Sequence, residues 1–266
     1  MAFGQINGIK LYYEKEGEEG PLVVFVSGFS THRETWRAFA KELLPNCQTL
    51  IFDNRGAGES DAPSPPYTID QMADDVAHLM GTLKLPPAYF VGSSMGTAIL
   101  LTLALRHPKI IKEGLLLAPF AQLPRTSLLK SESIAKLLEA NVPMPIVIES
   151  VLPWLYSNAF LSDLVRSQAK CKEMEQNPFP QKPEGYLGQL AALQTYDIRH
   201  ELAQIKTPFH LMAGKEDVSS PLACAEEIHH LLPSSTLLAV DEVAHMIHAE
   251  KPDLVLEQIK QMVIPS

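Results

Sequence analysis

Cysteine is scarce in this 266-residue chain: Cys47, Cys171 and Cys224 lie far apart, and none belongs to a CxxC pair. Three scattered thiols make no disulfide framework, so stability must come from a packed core, and the pattern fits a reducing compartment. No stretch approaches the roughly 18 consecutive apolar residues that a membrane-spanning helix needs. Residues Met1 to Lys10 lack a basic region followed by an apolar core, so no secretory signal is expected. Basic charge is short as well, with 22 Lys and Arg against 31 Asp and Glu, a formal net charge of -9. Such a surface repels polyphosphate and anionic lipid, which argues against nucleic acid and membrane as partners. A cytoplasmic protein is expected. Internal repeats and low-complexity tracts are also missing.

What is there is apolar content, 46% of residues, enough to bury a full core. Short apolar runs alternate with longer amphipathic stretches, the signature of βα units around a mostly parallel sheet. Strands are predicted at Phe3 to Ile6 and Ile9 to Glu14, joined by the hairpin dipeptide Asn7-Gly8. Six more follow at Leu22 to Val26, Thr49 to Phe52, Ala88 to Val91, Gly114 to Leu117, Phe209 to Met212 and Thr236 to Val240. Helices are predicted at Arg33 to Leu44, Ile69 to Leu83, Met95 to Arg106, Pro221 to Leu232 and Pro252 to Met262. The alternation breaks between residues 121 and 190, where prolines such as Pro143, Pro153 and Pro183 cut an apolar segment into short helices. The expected organisation is one α/β core from residues 1–120 and 191–266, carrying a helical cap at 121–190.

Chemistry concentrates after the strand at Ala88 to Val91. It runs into Gly92-Ser93-Ser94-Met95-Gly96 and then a helix rich in Ala and Leu, which is G-x-S-x-G in a strand–turn–helix setting. Such a turn is sharp, and bulkier residues two positions either side of the serine would strike neighbouring backbone. Ser94 is the expected nucleophile, with Ser93 pointing away. A second segment, Asp53-Asn54-Arg55-Gly56-Ala57-Gly58-Glu59-Ser60-Asp61, cannot bind a dinucleotide, because the third glycine of the fingerprint falls on Asp61. Asp53 and Arg55 are read as structural.

Together these segments resemble the α/β-hydrolases over nearly the whole chain. With Ala244-His245 and Glu250-Lys251-Pro252, the pattern is similar to 3-oxoadipate enol-lactonases and to carboxylesterases of the pimeloyl-carrier-protein methyl ester esterase type. The resemblance implies a sheet of about eight strands flanked by helices. Its chain order of serine, acid, histidine fits Asp217, after the strand at Phe209 to Met212, and His245, after the strand at Thr236 to Val240. Glu216 and His248 are the rival acid and base. The oxyanion hole is expected from the backbone N–H groups of Phe29 and Met95. Many such enzymes carry His-Gly where this chain has Ser27-Gly28, a departure that bears on how the loop is anchored more than on its backbone donors. His229, His230, His245 and His248 have no acidic or cysteine partner at ligand-like spacing, and no metal or cofactor is expected.

The reaction expected is hydrolysis of a small to medium carboxylic ester or lactone through an acyl-enzyme. A carbon–carbon bond hydrolase or cofactor-free perhydrolase would use the same triad, and a ligand receptor on this fold remains a further alternative. In the cap, Met144, Ile146, Trp154 and Tyr156 are candidates for the substrate wall, though packing the cap onto the core accounts for them equally. Seven basic and seven acidic residues between 121 and 190 give no basic platform for an acidic carrier protein. Carrier-bound acyl groups stay open.

Overall fold

A computed structural model describes residues 2–44 and 46–263. Asn7 and Gly8 both take positive φ, 47° and 82°, and turn β1 (Ala2–Ile6) back onto β2 (Ile9–Glu16) with Ile6 opposite Ile9. Positive φ at both central residues is what this dipeptide allows and most others resist. With β3 (Leu22–Val26), β4 (Gln48–Phe52), β5 (Ala88–Ser93), β6 (Ile111–Leu117), β7 (Phe209–Gly214) and β8 (Ser235–Val240), the described residues form one eight-stranded sheet. Its order is β1-β2-β4-β3-β5-β6-β7-β8. The β1–β2 and β2–β4 pairs are antiparallel, and those from β4 to β8 are parallel.

Side chains along β3 show how the layers are built. Leu22, Val24 and Val26 pack beneath α2 (Ile69–Thr82) and α3 (Met95–Arg106), while Val23 and Phe25 face α1 (Glu34–Leu43) and α11 (Pro252–Val263). Helices on both faces leave the strand no solvated side, which is why it reads as an unbroken apolar run. At the start of α2, Thr68 Oγ1 accepts the Gln71 N–H at 3.1 Å and so caps the helix.

Chain order reverses around β3, which lies between β4 and β5. Open α/β sheets hold ligands at the carboxyl ends of strands at such a reversal. Val26 pairs with Gly92, so the loops that follow β3 and β5 begin side by side.

Between β6 and β7 the chain forms α4 (Arg125–Glu139), α5 (Met144–Leu155), α6 (Asn158–Ser162), α7 (Leu164–Glu175) and α8 (Pro183–Thr195), with no strand among the described residues. Pro183 opens α8, where a missing N–H costs nothing. Pro153, by contrast, lies inside α5 and does not end it. Helix α8 also continues past residue 190, because Ala192 and Leu193 are buried in the core beneath the sheet. Helix α9 (Leu222–Leu231) follows β7, and the one-turn α10 (Ile247–Glu250), unpredicted from sequence, precedes α11. No described helix is long and apolar enough to cross a membrane.

Candidate active site

The turn between β5 and α3 is strained. Ser94 has φ 53° and ψ −118°, a region that a residue with a side chain holds only when its surroundings dictate it. Three glycines make the turn feasible. A Cβ at Gly96 would come within 2.3 Å of Val26 O, one at Gly92 within 2.8 Å of Leu100 Cδ1, and one at Gly28 within 3.0 Å of Ser93 O. Ser94 N–H bonds to Leu117 O at 2.9 Å, and Ser94 O accepts both the N–H and hydroxyl of Thr97, at 2.8 and 2.7 Å. The serine stands at the N-terminus of α3, partly exposed, where free N–H groups favour negative charge.

Asp217 sits in the loop after β7 and His245 in the loop after β8, and the structure brings them together. His245 Nδ1 lies 2.8 Å from Asp217 Oδ2, with both side chains buried. Burial alone would raise the Asp217 pKa, yet the His245 charge and hydrogen bond, with the N–H groups of Ser220 and Ser219, hold it below the ordinary carboxylate value. Those N–H groups reach Asp217 Oδ1 at 2.9 and 2.7 Å. Bound through Nδ1, the imidazole keeps Nε2 free of any hydrogen-bond partner among the described residues. Ser94 Oγ makes no hydrogen bond among them either, and in unliganded sites this contact is often long, tightening when substrate arrives.

The rivals fall elsewhere. His248, on α10, is buried with its ring 5.2 Å from that of Trp36, and burial, then the charges of His245 and Lys170, push its pKa down to about 3. Glu216 is exposed and accepts the Asn158 N–H at 3.0 Å. Neither reaches the Asp217–His245 pair by a hydrogen bond.

At the first loop, the N–H groups of Phe29 and Met95 have no partner among the described residues. Asn54 Nδ2 donates to Ser27 O at 2.9 Å, and the Phe29 ring packs 4.7 Å from that of Tyr186 on α8. Asp53 and Arg55 are buried in ion pairs, Asp53 with Arg33 and Arg55 with Asp75 at 2.5 Å, and these brace the loop after β4.

The cap candidates separate. Met144 and Ile146 are 46% and 53% exposed on the first turn of α5, whose buried positions are Val147, Ile148 and Leu152. Tyr156 is buried and stacked on Phe160 at 4.4 Å. Trp154 reaches the acid loop, its carbonyl accepting Ser219 Oγ at 2.7 Å. Sequence reasoning missed Ser220, whose Oγ is 3.0 Å from Asp217 Oδ2 and 3.3 Å from His245 Nδ1. It also missed Lys130 on α4, whose Nζ lies 3.5 Å from Ser219 Oγ and 5.6 Å from the Trp154 ring centre. Burial pushes the Lys130 pKa down to about 8 against the opposing charge of Asp217. Neither carries a local sequence signal.

Known proteins share this architecture. A relative named for carbamate hydrolysis, RutD of Agrobacterium fabrum, is 27% identical over 96% of this chain and 99% of its own length. The 3-oxoadipate enol-lactonase 2 of Acinetobacter baylyi is 26% identical over 92% of this chain and 89% of its own. The crystal structure of the enol-lactonase from Burkholderia xenovorans superposes with a TM-score of 0.84 at 25% identity, covering 97% of this chain and 98% of that one. The alpha/beta hydrolase fold family matches residues 21–252, and the chain belongs to it.

Proposed function

We propose that the protein hydrolyses a small to medium carboxylic ester or lactone with Ser94 as nucleophile, His245 as base and Asp217 as its orienting acid. The observation that carries this reading is the 2.8 Å bond from His245 Nδ1 to the buried Asp217, which leaves Nε2 as the proton acceptor. Ser94 Oγ attacks the carbonyl carbon while His245 takes its proton, and the N–H groups of Phe29 and Met95 hold the oxyanion. The C–O bond then breaks, and His245 gives the proton to the leaving alcohol. Water, deprotonated by His245, releases the acid and regenerates Ser94. Each step keeps Asp217 ionised, in line with its lowered pKa.

Residues 121–190 serve in this reading as the cap over the site, with Trp154 nearest the acid loop. The lactonase relatives support a small-molecule substrate, and the name of the RutD relative makes carbamates the second class to assay. Three free cysteines fit a cytoplasmic setting. Labelling by a fluorophosphonate, followed by peptide mass spectrometry, tests the assignment. The adduct should sit on Ser94, and an unlabelled Ser94 in active protein would refute it.

A further inference from the structure

The oxyanion loop is tied on both sides of its proposed donor. Gly28 O accepts Thr31 Oγ1 at 3.1 Å, and Ser30 N–H donates to Gln189 Oε1 at 3.1 Å. A trans peptide unit is planar, with C=O and N–H pointing opposite ways, so the Thr31 bond aims the Phe29 N–H away from Thr31. Among the described residues, Gln189 alone holds the next peptide. Ser30 has φ 57°, a conformation that needs such restraint.

Gln189 is fully buried on α8, far away in sequence. Its Nε2 donates to Arg55 O at 2.9 Å, and its Oε1 also accepts Gln181 Nε2 at 3.0 Å. Gln181 Nε2 donates in turn to Gly56 O at 2.8 Å. One amide thus joins the loop after β3 to the loop after β4. Helix α8 packs backbone to backbone while doing so, since a Cβ at Gly185 would lie 2.1 Å from Gly56 O and one at Gly188 2.3 Å from the Tyr67 ring. Backbone contact sets the height of α8 over the site.

We propose that Gln189 is a positioning residue for the oxyanion hole, clamping the Ser30 peptide so that the Phe29 N–H faces the oxygen of the tetrahedral intermediate. The inference rests on the assignment of Ser94 and Phe29 above. It supplies the anchor for a loop that carries Ser27-Gly28 where the resembled enzymes carry His-Gly. Because the clamp acts on a transition-state contact, its loss should appear in kcat and leave substrate binding nearly unchanged.

The test compares Gln189→Leu with Gln189→Glu, whose carboxyl, buried and protonated, keeps an acceptor for Ser30 and an O–H donor for Arg55 O, in the full chain. Measured together are kcat, KM, Tm and the inhibition constant of an alkyl boronic acid, whose adduct with Ser94 places an oxygen in the hole. Gln189→Leu should lower kcat by about 10- to 100-fold, leave KM within about twofold and weaken boronic-acid binding in step with kcat. Gln189→Glu should restore most of that loss. A folded leucine variant with kcat within about twofold of wild type, or a glutamate variant no better than it, overturns the proposal. If the leucine variant does not fold, Gln181→Ala decides, since it removes a bond that steadies Gln189. A kcat loss of about threefold or more at constant KM supports the clamp, and unchanged kcat overturns it. Ser94→Ala separates the two failures: activity that survives it removes the site assignment, whereas an inactive Ser94→Ala beside a normal Gln189→Leu removes the clamp alone.

Discussion

Glu250 accepts the backbone N–H of Ala244 at 3.0 Å, immediately before His245, and the same carboxylate bonds Ser157 at the junction of α5 and α6. Around it, Met246 N–H donates to Leu155 O at 3.0 Å, Ser219 Oγ to Trp154 O at 2.7 Å, and Asn158 N–H to Glu216 at 3.0 Å. Residues 154–158 are thereby stitched to both loops that carry the Asp217–His245 pair. Segments joined in this way steady the Asp217–His245 pair from outside its own loops.

Removing the Glu250 carboxylate should therefore cost both stability and rate. Glu250→Ala strands the N–H groups of Ala244 and Ser157, at about 1–3 kcal/mol for each buried donor left unpaired. Urea unfolding should show a loss of about 2–6 kcal/mol for the two donors together, and kcat should fall with the loosened His245 loop. A variant within about 0.5 kcal/mol of wild type with full activity would mean that the stitch is incidental.

His248 gives the pH prediction. Its folded pKa of about 3 lies below the ordinary histidine value of 6.5, so between these values the unfolded chain binds a proton that the folded chain refuses. Stability should fall as pH drops through that window, by up to about 1.4 kcal/mol per pH unit. His248→Phe, which keeps a ring against Trp36, should retain activity and flatten this acid loss. Urea midpoints at neutral and mildly acidic pH would show it, and an unchanged slope would place the acid sensitivity in another group.

Two glycines should respond in opposite directions. Gly96→Ala puts a methyl group 2.3 Å from Val26 O beside the strained Ser94 and should abolish activity or soluble expression. Gly81, on α2, has open space where a Cβ would go, so Gly81→Ala should hold or raise stability by up to about 1 kcal/mol. Thermal melts and an esterase assay of both variants check this pair. Similar behaviour in the two would contradict the packing described around the turn.

The strand runs and the Ser94 turn were legible in the sequence because each depends on neighbours within a few residues, whereas the choice of Asp217 and His245 rested on the chain order of the resembled family. Gly92 and Gly96 announce their own steric need. Gln189 and Glu250 were not legible, since their partners Ser30 and Ser157 lie far away along the chain and the helices that present them carry no local mark. Helix α5 shows a second limit. Met144, Ile146, Val147, Ile148 and Leu152 are all apolar, so periodicity cannot say which side faces water, and tertiary packing exposes the first two and buries the others. The four-residue α10 is too short to leave a periodic signal.

Hydrolysis of a small to medium ester, as proposed, predicts a chain-length optimum. Across a p-nitrophenyl ester series, kcat/KM should rise by less than about fourfold per methylene, the ceiling set by about 0.8 kcal/mol of burial, and then fall where the pocket ends. Preference for emulsified long-chain lipid would show a cap that opens at an interface.

Ser94→Ala decides whether this serine is the nucleophile, with kcat/KM measured on the best ester of that series and the fold checked by its melting transition. The variant should fold and lose activity by on the order of 10⁴-fold, with His245→Ala about as severe and His248→Ala largely active. A folded Ser94→Ala enzyme that keeps its ester hydrolysis would contradict that assignment.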